Sequence, residues 1–177
     1  MSNINKLLLE SILLANCPTL TKQIIDPYWA KIISAYNSMY NINLEYMKYE
    51  LSLEPRTNDG NISTMPKSHY GGCWTKNKII YINPEFKNAV MYYTKNKHIS
   101  SISKFMERVY LIIAHELAHE VYNRGQPEFV DKILSKAKSE KFTSDYIQVL
   151  PNNFTKMNEE IFCEYLAKTI VDFIFDK

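Results

Sequence analysis

Residues 101–123 carry the strongest helical periodicity of the chain, and this segment constrains the fold more than any other. Its apolar residues recur every three or four positions, so that they fall on one side of a helical wheel. These residues are Met106, Val109, Tyr110, Ile113, Leu117 and Val121. Gly125 follows the segment and Pro127 comes soon after, a pattern typical of a helix C-terminus. We therefore predict a long amphipathic helix whose apolar side faces the core and whose opposite side is free to line a cleft.

The rest of the chain alternates between helical and extended patterns. Further helices are predicted at 3–15, 26–40, 127–140 and 155–175. The second of these is expected to start at Asp26-Pro27, because Asp caps free N–H groups and Pro at the first helical position loses no hydrogen bond. Residues 43–53 alternate in a β-like way, and residues 69–82 are typical of a hairpin whose second strand ends before Pro84. The predicted fold class is α+β, with a short, twisted, mostly antiparallel sheet packed against helices.

Length and composition fit a single folded domain. The 177 residues are 46% hydrophobic and 23% charged, which is close to the average of globular proteins and argues against intrinsic disorder. We predict one domain over 1–177, with a helical part at 1–42 and a sheet at 43–83. The segments 101–123 and 155–175 are the helices that carry the candidate site residues described below.

The composition also excludes several classes of function. With only 4 Gly, the chain has no Gly-rich loop for nucleotide phosphates. Its 21 basic and 19 acidic residues are dispersed and give a net charge of +2, so no nucleic-acid partner is predicted. Cys17, Cys73 and Cys163 are far apart and form no CxxC pair, so we expect reduced thiols and an intracellular protein.

The N-terminal segment is interpreted as an amphipathic helix rather than a targeting signal. Lys6 precedes two short apolar runs, but Glu10 separates them, and Asn16 is a poor residue before Cys17 in a lipoprotein cleavage site. No window is long and apolar enough to span a bilayer. We therefore expect a cytoplasmic protein without a membrane partner, and secretion as a toxin or effector stays open as an alternative.

The predicted helix at 101–123 contains an HExxH motif formed by His115, Glu116 and His119. Histidines four residues apart lie one turn apart on nearly the same helical face, so both imidazoles can reach one Zn²⁺. Glu116 lies beside that face, where it can take a proton from water at the metal instead of binding the metal itself. The plainer alternative is a solvated helical face with two stacked histidines. We predict a zinc site with Glu116 as general base.

Two imidazoles do not complete such a site, because a catalytic zinc usually has three protein ligands and one open position. The two remaining histidines, His69 and His98, both precede the motif, so no later histidine can serve as the third ligand. A downstream carboxylate is the natural alternative, and the predicted final helix offers Glu159, Glu160 and Glu164. These acids also fit a solvated helix N-terminus that is stabilised by the helix dipole.

The motif and the later acids together resemble the gluzincin branch of the HExxH zinc peptidases, in which a later helix donates a Glu ligand. In that branch an ExxxD-like pair is common, and residues 160–164 offer the same spacing with Glu in place of Asp. The resemblance implies that Glu160 joins the two histidines as a metal ligand and that Glu164 accepts a hydrogen bond from a ligand His. Asn158-Glu159 resembles the Asn-Glu start of the thermolysin motif, so Glu159 is the alternative ligand.

The hairpin extends the resemblance upstream. Gly72, Cys73 and Trp74, a turn and the strand at 79–83 resemble the strand pair before the active-site helix of zincins, whose edge strand binds an extended substrate. Candidate substrate-binding residues are therefore Gly72, Cys73 and Trp74. The final helix is most similar to the ImmA/IrrE type, in which Ala follows the Glu ligand by seven residues, as Ala167 does here.

These patterns together predict a zinc-dependent endopeptidase with one Zn²⁺ per chain and a protein or peptide substrate. Tyr122, Tyr146 and Tyr165 are candidates to polarise the scissile carbonyl, and Cys163 is expected in the core. Two alternatives remain: a zinc-stabilised binding or regulatory module without activity, and a toxin or effector peptidase with a single protein target. Glu116 argues against the first, because a structural zinc site needs no base.

Overall fold

In the computed structural model, the described residues are 19–57, 59–64, 71–74, 76–85 and 102–175. The predicted helix at 3–15, the start of the hairpin at 69–70, and His98 lie outside them. Within this part of the chain there are five helices and three strands, in the order α1 (Lys22–Tyr40), β1 (Lys48–Leu51), β2 (Gly71–Trp74), β3 (Ile79–Ile82), α2 (Ile102–Arg124), α3 (Pro127–Ser139), α4 (Asp145–Val149) and α5 (Met157–Ile174). The α+β class is confirmed.

Helix α1 begins one turn earlier than predicted. The carbonyl oxygen of Thr21 accepts hydrogen bonds from the N–H groups of Ile24 and Ile25, both at 3.0 Å, so Pro27 lies inside the helix. The predicted start at Asp26 is therefore wrong. The extra turn buries Ile25 completely, and this apolar burial offsets the hydrogen bond that proline cannot make.

The three strands form a mixed sheet in the order β1-β3-β2. β2 and β3 pair antiparallel as the predicted hairpin, which is confirmed, whereas β1 pairs parallel to β3. The expectation of a mostly antiparallel sheet is therefore wrong, since half of the pairing is parallel. Ile79–Ile82 is a continuous apolar run whose last three residues are buried, as suits the central strand.

The hydrogen bonds to β1 fix which backbone groups of β2 point away from the sheet. The N–H of Lys48 donates to the carbonyl oxygen of Lys78 at 2.9 Å, and the N–H of Ser52 donates to that of Ile82 at 3.1 Å. Backbone N–H and C=O groups alternate sides along a strand, so those of Tyr81 must point towards β2, where Gly72 lies opposite Tyr81. The backbone groups of the two flanking residues, Gly71 and Cys73, then face the edge of the described sheet.

The core lies where α2 meets α5, α1 and the inner face of the sheet. The predicted apolar stripe of α2 is buried from Val109 to Val121, and Met106 is half-buried. Small side chains let the two main helices approach closely; Ala114, Ala118 and Ala167 are all fully buried. None of the described helices is both long enough and apolar enough to cross a membrane.

The segment between α3 and α5 contains regular structure where the sequence analysis predicted no helix. It contains the short helix α4, whose N-terminus is capped by the Ser144 hydroxyl, which accepts a hydrogen bond from the N–H of Ile147 at 3.2 Å. Helix α4 packs along α5, and Phe142 before it packs against Tyr165 of α5. This packing brings Ser144 and Tyr146 to the site described next.

Candidate metal centre

His115, His119 and Glu160 converge across the α2–α5 interface. Nε2 of His115 lies 3.4 Å from Oε2 of Glu160, and Nε2 of His119 lies 3.9 Å from the same oxygen. The ligand atoms of all three residues lie within 4.8 Å of one another. Metal–ligand bonds of about 2.0–2.1 Å in a tetrahedral zinc site place ligand atoms about 3.3 Å apart, so the group needs little adjustment to hold an ion.

The oxygen at the centre of this group is the strongest sign that it fits a metal. Oε2 of Glu160 is buried, yet no described residue donates a hydrogen bond to it. A buried acceptor without a partner is costly and rare in native proteins. A divalent cation would satisfy this oxygen together with the two imidazole nitrogens, and two imidazoles with one carboxylate are a donor set that suits zinc.

Each imidazole has a second carboxylate at its other nitrogen. Oε1 of Glu164 lies 2.8 Å from Nδ1 of His115, at an angle outside hydrogen-bond geometry, and Oε1 of Glu159 lies 2.8 Å from Nδ1 of His119 within it. The two contacts also show that α2 and α5 run in opposite directions. Carboxylates in this position orient a ligand imidazole and increase its basicity.

The three acids of α5 therefore occupy different positions. Glu160 lies in the ligand group, Glu164 lies behind His115 without the hydrogen bond that the resemblance implied, and Glu159 lies behind His119 instead of beside the other ligand atoms. All three are buried, so the alternative of a solvated acidic helix start does not describe this helix. The histidine face of α2 is likewise covered by α5, so that His115 is buried and His119 is partly buried.

Electrostatics within the group are dominated by burial and by the carboxylates. Burial lowers the pKa of His115, but Glu160 and Glu164 together raise it to about 10 in the absence of a metal. Burial raises the pKa of Glu164, yet its contact with His115 and a hydrogen bond from the Ser144 hydroxyl bring it below its usual value. The carboxylates around His115 therefore favour a positive charge at its imidazole, either a proton or a metal ion.

Glu116, the predicted base, is buried beside the ligand group and is not part of it. Burial raises the pKa of its carboxyl group, and the imidazoles of His115 and His119 oppose this change. A β-carbon added at Gly71 would lie 3.4 Å from Cγ of Glu116, so the edge strand β2 passes directly over this side chain. Glu116 can therefore exchange protons with a group that lies between the strand and the ligand atoms.

The predicted substrate-binding residues Gly72, Cys73 and Trp74 all lie in β2, at an edge of the described sheet. Cys73 is two residues from Gly71 and shares the strand face that borders Glu116. Burial and the nearby carboxylates of Glu116 and Glu120 raise the pKa of its thiol. The thiol therefore stays neutral at ordinary pH in the metal-free protein.

Of the three candidate tyrosines, one lies against a ligand. The ring of Tyr146 is perpendicular to that of His115, with centroids 5.8 Å apart. Tyr165 instead donates a hydrogen bond to Glu140 at 2.9 Å, and Tyr122 packs edge-on against Phe162. Cys163 is fully buried, as expected for the core.

Sequence reasoning missed a second buried carboxylate on α2, that of Glu120. Its Oε1 accepts a hydrogen bond from the Tyr46 hydroxyl at 2.9 Å, forms an ion pair with Lys78 at 3.3 Å, and also contacts Arg124. The cluster ties the β2–β3 turn to α2 just beyond His119. Only the spacing of Glu120 and Arg124 is visible in the sequence, because the other partners come from distant segments.

Comparisons of this chain with protein-family models, with curated proteins and with solved structures found no match.

Proposed function

We propose that this chain is a zinc-dependent endopeptidase of gluzincin type, in which His115, His119 and Glu160 hold one Zn²⁺ and Glu116 is the general base. The observation that carries the proposal is the convergence of three ligand atoms within 4.8 Å, with a buried carboxylate oxygen that lacks any other described partner. The burial of Glu116 beside this group supports the assignment of the base.

The metal and the base have separate tasks. Bound zinc would supply Lewis acidity, which polarises a peptide carbonyl and makes water easier to deprotonate. Glu116 accepts the proton of the attacking water and then donates it to the leaving amine. Because burial raises its pKa, Glu116 is a stronger base than an exposed glutamate, which suits proton transfer near neutral pH. The orienting carboxylate proposed for His115 is Glu164, at 2.8 Å from Nδ1.

An extended peptide is the substrate class that the site supports best. The backbone groups of Gly71 and Cys73 face the edge of the described sheet, where a peptide strand can pair with them through main-chain hydrogen bonds. The same strand passes over Glu116 at Gly71, so a peptide paired with it has its carbonyls near the proposed base. Gly72 and Trp74 belong to this proposed binding strand by their position in β2.

A zinc-stabilised module without activity explains the site less well. Structural zinc sites are closed by four protein ligands, whereas three residues of the described part of the chain form the group here. A buried carboxylate next to a structural site would also carry a desolvation cost without any benefit. The position of Glu116 is therefore the feature that favours catalysis.

Two measurements test the proposal together. Protein purified without added metal should contain zinc, or take up one equivalent per chain, when analysed by elemental analysis. The wild type should cleave a peptide library derived from a whole proteome, and Glu116→Gln should not. Protein that cannot be loaded with zinc contradicts the metal centre, and equal cleavage by both proteins contradicts the assignment of Glu116.

A further inference from the structure

Glu159 is buried between His119 and the start of α5, and both of its oxygens have partners. Oε1 lies 2.8 Å from Nδ1 of His119, and Oε2 lies 3.5 Å from Nζ of Lys156. The side chain is only 11% exposed.

The position of this carboxylate on the ring excludes it from the ligand group. Glu159 contacts Nδ1 of His119, whereas the nitrogen that points towards Glu160 is Nε2, on the other side of the imidazole. A side chain behind the ring cannot reach the point where the three ligand atoms converge while it keeps this contact. The neighbouring acid, Glu160, occupies that point instead.

We propose that Glu159 is a positioning residue, which acts on the metal through His119 and does not bind the metal itself. This inference depends on the metal centre proposed above. When Nδ1 carries the hydrogen and donates it to Glu159, the lone pair is left on Nε2, the nitrogen that faces the ligand group. The negative partner also increases the basicity of the imidazole, which strengthens its bond to a cation.

His119 depends on such a partner more than His115 does. Its side chain is 17% exposed against 8% for His115, and its Nε2 is the more distant one from Oε2 of Glu160. His115 is also held by the ring of Tyr146 and by Glu164. Among the described residues outside the ligand group, Glu159 contacts the ring of His119, and Nδ2 of Asn123 donates a hydrogen bond to the His119 carbonyl oxygen. Only the contact with Glu159 fixes the ring.

Lys156 has a minor part in this arrangement. Its ammonium group is 3.5 Å from Glu159, but its side chain is 65% exposed, and exposed ion pairs contribute little. Replacement of Lys156 by Ala should therefore leave metal affinity within about 2-fold of the wild type. This variant separates the loss of a nearby charge from the loss of the carboxylate that contacts His119.

The test measures the zinc affinity of the full chain by competition with a chromogenic chelator. Glu159→Ala should bind zinc about 10–100-fold more weakly than the wild type, because the His119 ring is no longer fixed. Glu159→Gln should recover most of this loss, since the amide oxygen can still accept the hydrogen bond from Nδ1. Glu160→Ala should lose the metal almost completely, and Glu128→Gln, an exposed acid on α3, should match the wild type.

The absorption spectrum of the Co²⁺-loaded protein provides a readout that does not depend on activity. Glu159→Ala should change the intensity or position of the visible bands, whereas Lys156→Ala and Glu128→Gln should not. Unchanged affinity and spectrum in Glu159→Ala overturn the positioning role and leave the proposed metal centre intact. Loss of zinc in Glu159→Gln as complete as in Glu160→Ala also overturns it, because that result makes Glu159 a ligand. A wild type that binds no zinc overturns the metal centre and this inference together.

Discussion

Gly71 of the edge strand lies directly against Glu116 of helix α2. A β-carbon added at Gly71 would approach Cγ of Glu116 to 3.4 Å and the carbonyl oxygen of Tyr81 to 2.8 Å. No side chain therefore separates the strand proposed to bind the substrate from the residue proposed as the base. The absence of a β-carbon at this position allows β2 and α2 to approach this closely.

Gly71→Ala should consequently impair catalysis more than metal binding. The added methyl group conflicts with a backbone oxygen that cannot rotate away, so the strand must shift relative to Glu116. Overpacking of this kind costs about 1–3 kcal/mol of stability. We expect a lower midpoint of thermal unfolding and reduced peptide cleavage, with zinc content unchanged. Cleavage at the wild-type rate would show that the close approach does not matter for the reaction.

Glu116→Gln should reduce peptide cleavage without reducing zinc binding. The amide has the same size as the carboxyl group but cannot accept a proton from water near neutral pH, and general base catalysis is typically worth about 10²–10⁴-fold. We expect a fall in kcat of this size, with zinc content and thermal stability retained. The exposed Glu128→Gln on α3 serves as the matched control for a change from acid to amide.

Zinc should stabilise the wild type, but not Glu160→Ala. A ligand that binds only the folded state at 100 times its dissociation constant adds about 2.7 kcal/mol, which corresponds to about 5–11 °C for a domain of this size. Thermal scans with zinc and with a chelator measure this difference. An equal shift in Glu160→Ala would mean that the stabilising ion binds elsewhere.

Tyr36 links α1 to α2 at the residue before His115. Its hydroxyl donates a 2.6 Å hydrogen bond to the carbonyl oxygen of Ala114, and the side chain is fully buried. Tyr36→Phe should reduce the free energy of unfolding by about 1 kcal/mol, the usual net contribution of such a bond. Urea denaturation measures this change. A much larger loss, or a loss of zinc, would mean that the bond also sets the position of α2.

The candidate ligands could be proposed from the sequence because the spacing of side chains within a helix is local, and the resemblance to gluzincins favours Glu160 as the third. His115 and His119 lie one turn apart on any α-helix, and the spacing of Glu160 and Glu164 likewise fixes their shared face. The position of Glu159 was not readable in the same way. Adjacent helical residues point about 100° apart, and only the crossing of α5 over α2 decides which imidazole each acid meets.

Long-range pairing accounts for the features that the sequence did not predict. Nothing in residues 48–51 indicates that β1 pairs parallel to β3, since this depends on the path of the intervening chain. The early start of α1 depends on the burial of Ile25, which overrides a good local start signal at Asp26. Both corrections are cases in which tertiary packing outweighs local preference.

The edge of β2 can be tested with proline, and the register of the sheet decides where. The N–H of Cys73 faces the edge, so Cys73→Pro removes a donor that a bound peptide would use without breaking a bond to β3. Gly72→Pro instead removes a donor directed at Tyr81 and should destabilise the hairpin. Cys73→Ala is the control for loss of the thiol.

We expect Cys73→Pro to lose most peptide cleavage while it retains zinc and a melting temperature close to that of Cys73→Ala. Gly72→Pro should lose stability first, and its activity should fall because the strand is disordered. Peptide cleavage by Cys73→Pro equal to that of Cys73→Ala would show that the substrate does not pair with this edge. The substrate would then have to reach Glu116 from another side, since β2 borders it at Gly71.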